Sequence, residues 1–270
     1  MRLNRPGTLN QLGKKITPFI GRVATKSPTV TNCIELACAY LSCVVGKGAG
    51  SGWDKGEEAA ASKIIRRPNP VILDLGANHG AWTQEMQRLI GSDGRWILVD
   101  AAVECCAILR QIKGVEVIEA AVGELPGKTV FYTPGEGAEL ASLYKRQDSC
   151  ISGLKLQERE VTVTTIDQIL NDRGITDVDL VKMDLEGHEL FALRGASESL
   201  KKGRIRALTF EFGSGNVNSR TFFRDFWELL TGLGYTIQRI CPGGAAVKVP
   251  EYYEDLEYFR GVTNYLAVRT

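Results

Sequence analysis

Residues 71–80, Val-Ile-Leu-Asp-Leu-Gly-Ala-Asn-His-Gly, place an apolar, β-prone run ahead of two glycines, with an amphipathic stretch from Trp82 behind them. The pattern is that of a buried strand turning into a helix. Backbone N–H groups of such a turn face an anionic or polar ligand, and glycine omits the Cβ that would block its approach. The spacing Gly76-x-Asn78-x-Gly80 is not the Gly-x-Gly-x-x-Gly of dinucleotide sites, which tells against NAD. Asp100 closes the next apolar run, Trp96 to Asp100, twenty residues beyond Gly80. A carboxylate at the end of a second strand is placed to accept both hydroxyls of a ribose.

A second dense patch runs from Val178 to Glu189, where an apolar strand reaching Asp184 leads through Glu186 and Gly187 to a helix starting near His188. Ligands of open α/β sheets sit beyond the carboxyl ends of the strands. Asp184 and Glu186 are therefore expected at the same rim as the glycine turn and Asp100. Acids at a helix start also stabilise its dipole by about 0.3–1 kcal/mol with no further role. Glu189 is read that way, whereas capping alone does not call for two rim acids. His188, beside acids that would hold its proton, is the candidate general base, the alternative being a polar cap. His79, inside the turn, faces the cofactor's edge or solvent. Glu211, an isolated acid in the apolar run Leu208–Phe212, is either a structural ion pair or a further site group. The Asp-x-Glu-x-His spacing could gather a divalent cation, but without a ligand from a third element no metal is assigned.

These residues need an α/β scaffold, and past Arg67 the chain alternates accordingly. Strands are expected at 71–76, 95–101, 115–122, 178–184, 207–213, 235–240 and 264–269, with helices at 80–91, 103–112, 166–173, 188–202 and 219–233. Thr165 to Gln168 fits a capping box, Gly174 a C-cap, and Ser219 an N-cap. The stripe Phe222, Phe223, Phe226, Trp227 and Leu230 has helical spacing and is taken as core. An edge pair, Lys128–Thr133 with Glu160–Thr164, brackets a polar loop from Pro134 to Glu158. A long insertion from Cys241 to Gly261 carries Tyr252, Tyr253, Tyr258 and Phe259. Residues 1–67 read as a basic arm and helical extension, and residues 68–270 as the catalytic domain.

The net charge of +1 conceals an asymmetry: residues 1–34 hold six basic residues and no acid, which leaves 27 basic against 32 acidic in the rest, a net of −5. The globular part thus has no electrostatic footprint for nucleic acid. Seven cysteines with no Cys-x-x-Cys pair argue against disulfides and structural zinc, and favour a reducing cytoplasm. The run Cys33–Val45 is apolar apart from Glu35, too short to span a bilayer, and is read as a core or homodimer-interface helix. Membrane contact through residues 1–45 is the minor alternative. The acid-free arm also has the composition of a transit peptide, though a disordered basic tail is the commoner case.

Together the motifs resemble the FkbM-type family of S-adenosylmethionine-dependent methyltransferases. The resemblance runs from about residue 70 to 213. It is carried by Asp74 to Gly80 with Thr83, Ala120 to Glu124, Ser142-Leu143, Val163 to Leu170, Asp179 to Glu189, and Leu193 to Ala196. Phe210 to Gly213 followed by Ser219 to Phe226 looks like a subgroup of that family. The resemblance implies a Rossmann-like class I methyltransferase, with a mostly parallel seven-stranded sheet, an antiparallel last strand and helices on both faces. It implies S-adenosylmethionine as donor and an oxygen acceptor, in many members a sugar or polyketide hydroxyl.

Carried over residue by residue, the donor's methionine end falls to Asp74, Gly76, Ala77, Asn78, Gly80 and Thr83. The ribose falls to Asp100 with Ala101 beside it, and the adenine side to Ala120, Ala121 and Ser142. Asp184 and Glu186 face the methyl or amino group. The chain departs from the family at Asp100-Ala101, where Glu-Pro is common, and at Glu119, where Asn is common. The aromatics of the 241–261 insertion could face sugar C–H groups, with Asn216 and Asn218 reaching hydroxyls, or could simply pin their own loop. An NAD-dependent oxidoreductase and a non-catalytic binding protein on the same fold are the competing readings.

Overall fold

In the computed structural model, which describes residues 7–50, 55–134, 141–146, 153–259 and 261–270, three helices come first: α1 (Gly7–Ala24), α2 (Pro28–Val44) and α3 (Gly56–Ser62). Then follow β1 (Val71–Leu75), α4 (Ala81–Ile90), β2 (Arg95–Asp100), α5 (Val103–Leu109), β3 (Val115–Glu119), β4 (Ala121–Val122), β5 (Gly127–Thr133), β6 (Gln157–Thr164) and α6 (Ile166–Asp172). The rest comprises β7 (Leu180–Met183), α7 (Glu189–Arg194), α8 (Ser197–Lys201), β8 (Ala207–Gly213), α9 (Gly215–Ser219), α10 (Phe223–Gly232), β9 (Tyr235–Cys241), β10 (Ala245–Lys248) and β11 (Val262–Arg269). Arg2, Arg5 and Cys150, together with much of the loop between β5 and β6, lie outside the described residues.

The central strands β1, β2, β7 and β8 bury nearly every side chain on both faces, so they need a helical layer on each side. Their sheet runs β10-β9-β11-β8-β7-β1-β2-β3. The block from β8 to β3 is parallel, and β11 inserts antiparallel between β8 and β9. This is the expected class I arrangement with one strand more, because β10 folds back on β9 at the edge. One core buries α6, α7 and α10 against one face, with Leu73, Met183 and Phe210 at its centre. A second packs α3 and α4 on the other face, through Ala60, Trp82 and Met86.

Several element ends differ from expectation for local reasons. The expected strand 115–122 breaks at Ala120, and β4 leaves the main sheet to pair with β6 beside β5. The expected helix 188–202 divides where a Cβ at Gly195 would overlap the Gly123 carbonyl. Thr165 Oγ1 does cap α6, accepting from Gln168 N at 3.0 Å, and Gly174 stands just past its end with φ 59°. Ser219 does not cap α10. Its hydroxyl bonds within the preceding turn, and Asp225 and Glu257 accept the free N–H groups of Phe222, Phe223 and Arg224 instead. Of the aromatic stripe, Phe223, Phe226 and Leu230 are core as expected, while Phe222 is exposed.

The run Cys33–Val45 is not core: α2 buries only Cys43, and Leu36, Tyr40 and Leu41 are each more than half exposed. Among the described residues, no helix is long and apolar enough to cross a membrane.

Candidate active site

The glycine turn is shaped by approach of backbone to backbone. At Gly76 φ is 74°, and a Cβ would run into the Asp184 carbonyl, so β1 and β7 can leave the sheet side by side only with glycine there. Asn78 (φ 48°) and Gly80 (φ 79°) complete the bend, and a Cβ at Gly80 would overlap Ile112 and Leu109. Below the turn, Lys182 is buried with Asp74 at 3.3 Å and Asp184 at 3.4 Å, and donates to the Gly76 carbonyl at 3.2 Å. Burial alone would lower its pKa, but the surrounding carboxylates outweigh that and keep it charged. Asp74 also accepts from Thr83 Oγ1 at 2.6 Å. Asp74 and Thr83 are both fully buried, so these two hold the turn from beneath rather than reaching a ligand, a correction to the expectation.

Asp100 lies on the same side of the sheet as the bend. Its Oδ2 accepts from Asn78 N at 2.8 Å and its Oδ1 from Ala102 N at 2.8 Å. Burial raises its pKa, opposed by those two N–H groups. Above it opens a cleft lined by the carboxyl ends of β1, β2 and β7. Of the expected donor residues, Gly76, Asn78, Asp100, Ala101, Ala120, Ala121, Ser142 and Asp184 line it, as do Glu186 and His188. Asp74, Ala77, Gly80 and Thr83 do not, and neither does Glu211, which sits on β8 opposite Asn264. Burial and the acids around it raise the Glu211 pKa far above the carboxylate range.

The far wall comes from the β5–β6 excursion. Ser142 pairs with Tyr132 through two backbone hydrogen bonds, which brings residues 141–146 over the cleft beside Phe131. Ser142 Oγ donates to the Glu186 carbonyl at 3.1 Å, and the Tyr144 hydroxyl lies 2.8 Å from His188 Nδ1. Buried Arg146 forms an ion pair with the Glu186 carboxylate. Burial and the nearby Asp184 carry the Glu186 pKa well above the ordinary range, with Arg146 opposing. His188 stacks on Phe191 at 4.7 Å, and burial lowers its pKa to about 4, so its ring is neutral at pH 7. Glu189 is wholly internal: it accepts from Leu185 N at 2.8 Å and Gly187 N at 3.2 Å, which holds the loop that presents Glu186 at φ 52°.

Tyr144, Arg146 and Phe131 carried no signal in the sequence, because pairing across a separate small sheet brings Phe131 to the cleft and sets Tyr144 and Arg146 against the lining residues His188 and Glu186. Asn216 does not reach the cleft either. It accepts from Gly213 N at 2.8 Å and donates to Thr221 Oγ1 at 2.9 Å. Tyr252, Tyr253 and Phe259 pack on the core, so the insertion pins itself to the sheet, and only Tyr258 stands free, 69% exposed. Among the described residues, no group of three or more His, Cys, Asp or Glu side chains could hold a metal ion.

A parallel sheet with one antiparallel strand inserted beside β8, a glycine turn after β1 and an acid closing β2 define a Rossmann-like methyltransferase. The family model described as methyltransferase FkbM domain matches residues 74–237, and the chain belongs to that family of S-adenosylmethionine-dependent methyltransferases. Among curated proteins, 2-O-methyltransferase NoeI of Sinorhizobium fredii is 24% identical over 154 residues, 53% of this chain and 63% of that one. Ribosomal RNA large subunit methyltransferase E of an Acidovorax species is 29% identical over 167 residues, 61% of this chain and 66% of that one. The chain thus spans less than two thirds of the length of either relative. A solved structure, methyltransferase FkbM from Methylobacillus flagellatus, is 15% identical with a TM-score of 0.49, over 76% of this chain and 45% of that one.

Proposed function

We propose that this chain methylates a hydroxyl of a small molecule, a sugar or glycoconjugate, with S-adenosylmethionine as donor. The observation that carries the reading is the pair Asp184 and Glu186 lining the same cleft as Asp100, with the Glu186 carboxylate held by buried Arg146. Transfer to an oxygen needs a proton acceptor at that place, and one relative's name, 2-O-methyltransferase, agrees with an oxygen acceptor.

The residues fit the donor. Ala101, Ala120, Ala121 and Phe131 leave an apolar slot for a flat ring; Asp100 would take the ribose hydroxyls and Asp184 the ammonium. When bound, S-adenosylmethionine supplies an electrophilic methyl on a sulfonium. The chain's own contribution is mainly alignment, which can supply on the order of 7–11 kcal/mol of a barrier. Glu186, ionised, takes the hydroxyl proton. Arg146 fixes its carboxylate, while Ser142 and Glu189 fix the backbone that carries it. Neutral His188, held by Tyr144, shapes the wall beside Gly123.

The test is a transfer assay with methyl-labelled donor against nucleotide sugars, glycolipids and ribosomal RNA, paired with calorimetry using S-adenosylhomocysteine and NADH. Labelled sugar together with S-adenosylhomocysteine binding is the expected result. Binding without transfer to any hydroxyl, label on RNA alone, or preference for NADH would overturn the proposal.

A further inference from the structure

We infer that α1 and α2 dock this protein on an anionic membrane surface, lying in the interface rather than crossing it. In α1 the apolar residues Ile16, Phe19, Ile20 and Val23 fall at i, i+3, i+4 and i+7, one face of a helix, and are 42%, 71%, 50% and 49% exposed. Lys14 and Arg22 stand on the other side of that helix. In α2, Val30, Ile34, Leu41 and Val44 repeat the spacing, again exposed, with Leu36 and Tyr40 widening the apolar face. Contiguous apolar surface of this kind is left bare only where something covers it.

Charge identifies what covers it. Residues 1–44, which hold both helices, carry six basic residues against a single acid, Glu35, so the surface is complementary to anionic lipid headgroups, whereas pairing two copies through it would bring two positive segments together. Each basic residue near such a surface strengthens binding by about fivefold.

The foot of α2 shows where this surface lies. The Val45 carbonyl accepts from Arg239 Nε at 2.8 Å, Gly48 N donates to Thr263 Oγ1 at 2.9 Å, and Gly50 N to the Val262 carbonyl at 2.8 Å. Lys47 pairs with Asp255. These anchors are at the end of β9 and the start of β11, the same edge of the sheet at which β1, β2 and β7 open into the cleft. The acceptor would then be a hydroxyl presented at a bilayer surface. That extension rests on the proposed O-methylation, whereas docking itself does not.

The experiment is flotation of the full chain with vesicles of phosphatidylcholine alone or with about one third phosphatidylglycerol, across salt concentrations, with light scattering of the free protein. Binding only to the anionic vesicles, weakened by salt, is expected. The variants Phe19→Glu with Leu41→Glu, and separately Lys14→Glu with Arg22→Glu, should each lose about tenfold or more of it. S-Adenosylhomocysteine affinity, unchanged in both variants, shows that they fold. Equal or absent binding to both vesicle types would overturn the inference, as would a stable dimer dispersed by Phe19→Glu and Leu41→Glu. Vesicle binding is read without methyl transfer, so a wrong acceptor and a wrong docking surface give different results.

Discussion

Asp100 engages two backbone N–H groups with its two oxygens and still faces the cleft, so it works as a brace for the glycine turn and as a ligand group. Asp100→Asn keeps the volume but loses charge and one acceptor. A lost charged hydrogen bond is worth about 1.5–3 kcal/mol, so calorimetry should show S-adenosylhomocysteine affinity about 10- to 100-fold weaker. Glu186 is of the opposite kind, placed for the reaction rather than for the donor. Glu186→Gln should lower turnover about 10²- to 10⁴-fold and leave donor affinity nearly intact. The wild-type rate should rise with pH through a range above that of an ordinary carboxylate, because burial holds the proton on. His188 has its pKa lowered to about 4, while an unfolded chain binds that proton near pH 6.5. The unfolded state therefore takes up more protons between those values, and the native state loses stability as pH falls from about 6.5 to 4. His188→Asn, which keeps an acceptor for Tyr144, should gain on the wild type in thermal melts as the pH falls across that window. A parallel pair of curves would show that the ring titrates normally.

Secondary elements explain why some glycines cannot be replaced and others can. Gly76 and Gly91 both have positive φ, 74° and 89°, but only the Cβ at Gly76 meets backbone, whereas nothing lies within 4 Å at Gly91. At Gly91, φ 89° with ψ 160° is a backbone region essentially reserved for glycine, so Gly91→Ala should cost about 1–3 kcal/mol of strain, while Gly76→Ala should add a clash that parts β1 from β7 and abolishes donor binding. Equal melting temperatures for the two variants would refute this account. The same contrast separates what was legible in the chain from what was not. The strands β1, β2, β7 and β8 and the cap Thr165 were legible, because burial on both faces and a capping hydroxyl are local signals. Ser219 misled because Asp225 and Glu257, the second from a distant segment, supply the acceptors that an N-cap hydroxyl would have supplied. Glu211 was only half legible, because an acid in an apolar strand reads alike whether it lines a cleft or, as here, sits just off one beside the lining acids Asp184 and Glu186.

For the whole molecule, a ligand that binds only the native state stabilises it in proportion to its saturation. S-Adenosylhomocysteine at a hundred times its Kd should add about 2.7 kcal/mol, raising the melting temperature by about 5–10 °C for a chain of this size. NADH should leave the midpoint where it was. The order of strands and helices, the glycine turn and the acid that closes β2 were readable from residue order alone, since periodicity and backbone freedom act over a few residues. Other features waited on the assembled fold: β11 slipping between β8 and β9, Tyr144 and Arg146 arriving over Glu186 and His188, Thr83 turning inward to Asp74, and the apolar face of α2 left in water. Each of these depends on which distant surfaces meet, and a linear pattern carries an element's periodicity but not the identity of its neighbour.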